Sequence, residues 1–361
     1  MNNSTESLNA NRPDIITTEV ETISFYRKMD TKATVLEMIE GKYVIVEEYY
    51  SNGLEVLAEL KKNLLKTYTD KSFKGQREYR SAFREASHRL LIKVVDNKLP
   101  LKKAPSIGWL EILYPEVKDF YISYPDVQGM NSSWQWHKKG IEIKTLDLSI
   151  YPYYGTYFPT RFDHLKLFDK WLKKYDGSKE KAIEIGVGSG ILSFQLVQNG
   201  FDNITASDTN KNAIIGVREE AKRLGFEDKI SLNYGDLFEN CEEKADVIVF
   251  NPPWLKAKHK LEEGIDKAMY YEDELFPRFF EQAKQHLKPE GKIVLIFSNF
   301  SEVVDKETPH PIIEELRNSN RFRKDLHLRR DVRASSKRTK RTDNRVNEKV
   351  ELWVLAHKKE K

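Results

Sequence analysis

From Lys181 onward the chain repeats one alternation, a short apolar run followed by an amphipathic one, and few architectures accept it. The runs "KAIEIGVG", "NITASDT", "KISLNYGD", "DVIVFNPP" and "KIVLIFSN" have the length and composition of strands. Between or after them, "GILSFQLVQNG", "NKNAIIGVREEAKRLG", "DELFPRFFEQAKQHL" and "PIIEELRNS" read as helices, the first two stopped by Gly200 and Gly225. Strands that are apolar along their length are covered on both faces, because each crossover between parallel strands lays a helix over the sheet. The last two runs, "DLHLRRDV" and "KVELWVLA", read as an antiparallel pair. The expectation is a doubly wound α/β domain with a seven-stranded, mostly parallel sheet and a C-terminal antiparallel hairpin. A helix before it, "FDHLKLFDKWLKKY", is expected to bury Phe162, Leu165, Phe168, Trp171 and Leu172.

Upstream the alternation is lost. "KYVIVEEYY" has strand composition, while Leu54, Leu57, Leu60 and Leu64, and then Phe83, Ala86, Leu90 and Val94, fall at helical spacing. Leu99 to Pro115 reads as connecting chain, and "WQWHKKGIEIKTLDLSIYPYYGTYF" as a β-hairpin or meander, in which Trp134, Trp136 and His137 can stack on a base or fill the core. With 361 residues two domains are expected. These are a smaller mixed α+β N-terminal domain over residues 31–150, after a disordered segment 1–30, and the α/β domain over 151–361. Apolar residues at 39% suffice for a core, and no repeat marks a solenoid. The single cysteine, Cys241, leaves no intramolecular disulfide and no Cys-built zinc site, which fits a reducing compartment. The polar first twenty residues lack a signal-peptide core, and no apolar run approaches the ~20 residues that span a bilayer. A soluble, cytoplasmic protein with no membrane partner is expected.

Chemistry-bearing residues gather where the strands end. The first βα turn is "EIGVGSG", with Gly186, Gly188 and Gly190 placed to let the backbone approach a ligand at a helix N-terminus. A dinucleotide fingerprint needs its third glycine at 191, which is Ile191, and asks for no acid at 184. Glu184 supplies a carboxylate able to hold an ammonium. Asp208 ends the second strand, where an acid accepts from ribose hydroxyls or caps the next helix. Asp236, after the third, can take an adenine amino group or serve as a turn acid. The fourth strand ends in "NPPW". Pro252 and Pro253 fix φ and hold Asn251 out of helical geometry. The Asn251 amide oxygen and a proline carbonyl are then two acceptors for both protons of one NH2 group, and Trp254 is a flat face for a planar partner. No histidine pattern of the H-E-x-x-H kind marks a metal site.

On these residues the region from Tyr151 onward resembles the class I S-adenosylmethionine-dependent methyltransferases, Rossmann-like enzymes, in the group with an Asn-Pro-Pro-aromatic motif. That group includes adenine amino-methyltransferases, guanine N2 enzymes of ribosomal RNA and HemK-like protein glutamine methyltransferases. The resemblance implies S-adenosyl-L-methionine as cofactor. It assigns Glu184, Gly186, Gly188 and Gly190 to the methionine-binding loop, Asp208 to the ribose, Asp236 to the adenine side, and Asn251, Pro252, Pro253 and Trp254 to catalysis, with Asn251 also beside the cofactor. "YYGTYFPTRFDHLKLF" stands where the family keeps a motif before the glycine loop, with Gly155, Pro159 and Thr160 near the cofactor, Arg161 or His164 close by, and Tyr157 and Arg161 toward the substrate. HemK-like proteins carry Pro-Arg-x-Glu-Thr there, whereas this chain has Pro159-Thr160-Arg161-Phe162-Asp163.

The net charge of +4 hides a local asymmetry: between Arg321 and Arg345 stand eleven Lys or Arg against three Asp. Lys337, Arg338, Lys340 and Arg341 in the hairpin loop can track a phosphate backbone, or the run is a solvated loop. The basic run tilts the expected partner toward RNA or DNA, with the methyl acceptor a base amino group (adenine N6 or guanine N2). The alternatives are a protein glutamine, a small-molecule amine, and a cofactor-binding protein without turnover. The N-terminal domain is expected to recognise the substrate. The sequence is silent on oligomeric state.

Overall fold

The computed structural model describes residues 8–257, 268–304, 306–332 and 348–358. It contains two compact units, one of Arg12–Lys138 and one of Met1–Asn11 with Lys139–Lys361. The division falls at Lys138/Lys139 rather than at residue 150. Residues 13–30, expected as part of a disordered lead, carry the strands β1 (Ile15–Ile16) and β2 (Thr22–Phe25).

The smaller unit is a five-stranded mixed sheet, β1-β5-β4-β3-β2, with β3 at Tyr43–Val46, β4 at Leu90–Val94 and β5 at Phe120–Ser123. β2, β3 and β4 run parallel, and β5 and β1 oppose their neighbours. The helix Tyr50–Thr67 buries Val56, Leu60 and Leu64 with Asn52 and Gly53, and leaves the expected core residue Leu54 exposed. Gly53 is where Tyr124 packs: a Cβ there would stand 2.1 Å from the ring. The helix Phe73–Ser87 ends before Leu90, so Leu90 and Val94 are strand residues, not its continuation. Their spacing of four also suits alternate positions on one strand face, which is why the pattern misleads. Trp134, Trp136 and His137 lie in the helix Tyr124–Lys139, not in a meander; the hairpin is confined to β6 (Ile141–Ile143) and β7 (Leu148–Ile150).

In the larger unit the seven strands are β8 (Lys181–Ile185), β9 (Asn203–Asp208), β10 (Ile230–Tyr234), β11 (Ala245–Phe250), β14 (Leu287–Ser298), β15 (Phe322–Asp331) and β16 (Lys349–His357). They order as β10-β9-β8-β11-β14-β16-β15, parallel through β14, with β16 antiparallel between β14 and β15. Alternate residues of each central strand enter different cores. Ala182, Val247, Val249, Val294 and Ile296 join Leu165, Phe168, Phe194 and Val217 on one face. Ile183, Ile185, Ile248, Phe250 and Leu295 join Phe276, Phe279, Phe280 and Ile312 on the other. Phe162 is only partly buried, and the helix Asp163–Leu172 buries His164 and Leu167 in addition. Two short strands, β12 (Leu255–Lys256) and β13 (Tyr270–Tyr271), pair beyond β11. Among the described residues no helix is long and apolar enough to cross a membrane.

Candidate functional site

Strand order reverses between β8 and β11, and at such a point the loops leaving the carboxyl ends diverge and open a crevice. The expected glycine turn follows β8 and the Asn251 segment follows β11. Gly186, Gly188 and Gly190 have φ of 69°, 51° and 78°, a left-handed path that side chains disfavour. Gly188 N–H donates to Asp208 Oδ2 at 2.9 Å, and Asn210 N–H to Asp208 Oδ1 at 2.8 Å. Asp208 therefore fastens the first βα turn to the second, while the cap of the next helix is Asn210, which accepts from Asn212 N–H at 3.1 Å. Burial raises the Asp208 pKa, opposed by these backbone donors.

Glu184 is 1% exposed and accepts a hydrogen bond from Ser193 Oγ. Burial pushes its carboxyl up to about 8, Ser193 opposing. No cation among the described residues pairs with it, so near neutral pH the carboxyl stays protonated, and an incoming ammonium would favour its ionised form. Ser193 was not foreseen. Its signal was available in "ILSFQLV", a helix without a wet face whose polar residues Ser193 and Gln195 must bond internally. Asp236 receives Arg278 at Oδ2, and its own N–H donates to Glu239 Oε2 at 3.1 Å. Arg278, 42 residues away, was also missed. A left-handed turn that keeps its glycines bare, a buried carboxyl without a counter-ion and two further acids at strand ends suit a ligand with an ammonium, a ribose and a base.

Asn251 follows β11 directly. Its Oδ1 accepts from Trp254 Nε1 at 3.1 Å, which fixes which end of the amide faces the indole. One lone pair of that oxygen remains for a substrate N–H. Pro252 is buried, Pro253 half-buried, and the Trp254 ring packs against both core layers. The His164 ring meets the indole edge-on at 5.9 Å. Burial lowers the His164 pKa to about 4, so near neutral pH it is an uncharged packing partner.

In the segment before the glycine turn, Tyr157 and Thr160 are exposed and Pro159 is buried. Tyr157 O lies 3.5 Å from where a Cβ on Gly188 would stand, which places this segment directly against the turn. Arg161 differs from the substrate role expected for it: its guanidinium is held by the buried carboxylate of Glu348 at 3.0 Å. Glu348→Ala is expected to strand that guanidinium and lower stability by roughly 2–3 kcal/mol. A thermal melt unchanged from wild type would show the pair to be idle.

Lys337, Arg338, Lys340 and Arg341 lie outside the described residues. The described flank of their hairpin is largely self-neutralised. Beside the loop Arg329 pairs with Glu351 at 2.9 Å and Arg330 with Asp163 at 3.1 Å, while at the opposite end of the β15–β16 pair Arg321 meets Glu315 at 2.6 Å and Arg323 meets Asp325 at 2.9 Å. Among the described residues no cluster of His, Cys, Asp and Glu is arranged to hold a metal.

Residues 165–323 match the methyltransferase small domain. Over 179 residues the chain is 30% identical to a putative protein N5-glutamine methyltransferase of Methanocaldococcus jannaschii, covering 47% of this chain and 86% of the relative. It is 34% identical over 125 residues to the release factor glutamine methyltransferase of Streptococcus pneumoniae, covering 31% of this chain and 44% of the relative. It is also 28% identical over 210 residues to ribosomal RNA small subunit methyltransferase C of Actinobacillus pleuropneumoniae, 56% of each chain. The chain thus spans most of the first relative and less than two thirds of the other two.

Proposed function

Because this chain belongs to the class I S-adenosylmethionine-dependent methyltransferases, we propose that it methylates the side-chain amide nitrogen of a glutamine in a protein. It is an enzyme, an N-methyltransferase with S-adenosylmethionine as methyl donor. S-adenosylmethionine, when bound, supplies a methyl group on a positively charged sulfur, already activated toward a nucleophile. The protein's task is then to make a delocalised NH2 nitrogen attack, and to hold it in line.

In this reading Asn251 Oδ1 and the Pro252 carbonyl each accept one proton of the NH2. Gripping both protons favours a pyramidal nitrogen whose lone pair leaves the π system and turns toward the methyl group. The indole N–H on Asn251 Oδ1 keeps the amide from flipping its donor end toward the substrate. Gly186, Gly188 and Gly190 with Glu184 hold the amino-acid end of the cofactor, Asp208 the ribose and Asp236 the adenine side. Thr160 borders the cofactor, while Tyr157 and Trp254 border the acceptor. The nitrogen gains a methyl group and gives up one proton to solvent, so no strong base is required. Positioning and stabilisation of developing charge then carry the rate.

What carries the choice of glutamine over a base is the hairpin flank, where Arg329 and Arg330, the described arginines next to the loop, are already matched by carboxylates of the same chain. A polyanion would have to compete with those pairs, whereas a neutral amide on a protein surface need not. The Methanocaldococcus relative, matched over most of its length, bears a glutamine methyltransferase name and supports the same side. The base reading rests on the basic run in the hairpin loop and on the ribosomal RNA relative.

The test is labelled methyl transfer onto fractionated cell extract, with protein, RNA, DNA and small molecules counted separately. The expected result is label in protein, recovered as N5-methylglutamine by mass spectrometry. Label confined to RNA or DNA would overturn the glutamine assignment and select the base.

A further inference from the structure

The helix Lys211–Leu224 supports one stretch of chain along much of its length, and that stretch leads into the segment covering the glycine turn. At the far end Arg223 Nη2 donates to Ser149 O at 2.8 Å, and the Arg223 guanidinium lies over the Tyr151 ring at 4.8 Å. Glu220 Oε2 accepts from Tyr151 N–H at 3.3 Å. Midway, Gly216 leaves room for Tyr153, whose Cβ lies 2.5 Å from where a side chain at 216 would begin. At the near end Asn212 Nδ2 donates to Tyr154 O at 2.8 Å, and Asn210 Nδ2 to Gly155 O at 2.9 Å. Gly155 turns there through φ 65°.

Asn212 does more than meet Tyr154. Its Oδ1 accepts from Asn11 N–H at 2.7 Å and its Nδ2 donates to Asn11 O at 2.7 Å, so the side-chain amide copies a backbone pairing. It is 1% exposed. An amide so buried, with both ends in use, costs little where it is, and its removal would take a hydrogen bond from three backbone groups. Two residues beyond Gly155, Tyr157 O rests against Gly188, whose N–H is held by Asp208, four residues before Asn212.

We propose that Asn212 is a positioning residue for the cofactor site, clasping Tyr154 and Asn11 so that residues 154–157 lie fixed over the glycine turn. The proposal rests on the reading that this turn holds S-adenosylmethionine. The clasp acts on the walls of the site before anything binds, so its loss appears in cofactor affinity. Transfer at saturating cofactor is spared, because Asn251 and Trp254 belong to another strand end.

The experiment titrates S-adenosylmethionine into wild type, Asn212→Ala and Asn210→Ser by calorimetry, with thermal melts of each apo protein. Asn212→Ala is expected to raise Kd about tenfold, the effect of losing one to two net hydrogen bonds. Asn210→Ser keeps a good helix cap but is too short to reach Gly155 O, so it is expected to raise Kd about threefold without moving the melt. It decides the matter should the alanine variant not fold. At saturating cofactor both variants are expected to transfer label to extract within about twofold of wild type. Unchanged Kd in Asn210→Ser and in folded Asn212→Ala, or a lower melting temperature with no change in Kd, would overturn the proposal. Failure of wild type itself to bind would instead remove the assignment of the glycine turn.

Discussion

Asn251→Ala is expected to lower kcat by at least 10²–10³-fold while leaving the Kd for S-adenosylmethionine within about twofold of wild type. The asymmetry follows from where the side chain points. Its oxygen is committed to the Trp254 indole and to whatever approaches from the same side, whereas Glu184 and Asp208, proposed for the cofactor's ammonium and ribose, belong to β8 and β9. Alanine removes an acceptor aimed at a developing cation and frees the indole to drift. Asn251→Asp keeps an acceptor at the same place and is expected to retain part of the rate. Single-turnover methyl transfer with calorimetric Kd separates the two effects. Retention of a tenth or more of wild-type kcat by the alanine variant would dismiss the two-acceptor grip.

Glu184→Gln is expected to make the cofactor-free protein more stable at pH 8 and yet a poorer binder. The Glu184 carboxyl titrates near 8 in the fold, above its ordinary value of 4.5, because burial disfavours the charged form. A carboxyl raised in this way favours the folded state while it stays protonated. Its contribution is full below about pH 4.5 and declines as pH climbs toward about 8, where the fold must carry an unpaired buried charge. Glutamine never ionises, so variant and wild type should melt alike near pH 4 and separate by roughly 4 kcal/mol by pH 8. Binding reverses the order, since an ammonium beside an ionised Glu184 gains a full charge partner that glutamine cannot supply. In wild type at neutral pH, uptake of the cofactor should release close to one proton, measurable by calorimetry in buffers of different ionisation enthalpy. Identical pH–stability curves for the two proteins would mean that Glu184 is ionised before the cofactor arrives.

The larger unit was legible because its strands are short, apolar and separated by helices that end on Gly200 and Gly225, so each boundary had a local cause. Asn251 and the acids at 184, 208 and 236 were legible for the same reason, since finding the strand ends finds the residues just beyond them. What failed was of two kinds. Leu90 and Val94 satisfy helical and strand spacing alike, and "WQWHKK" holds too few residues for either period to win; only the surrounding sheet decides. Pairings such as Arg161 with Glu348, 187 positions apart, leave no local trace. The resemblance turned Arg161 toward the substrate, and a carboxylate near the far end of the chain claimed it.

The position of β16 has a consequence for how the protein is made. It is the last strand of the sheet in chain order, yet it lies inside it, pairing with β14 on one side and β15 on the other. During synthesis β14 keeps an open hydrogen-bonding edge and β15 has no neighbour in the sheet until residues 349–357 leave the ribosome. Folding of this unit therefore finishes after translation has passed β11 by about a hundred residues, and a nascent chain holding every proposed site residue still lacks the strand that joins its sheet.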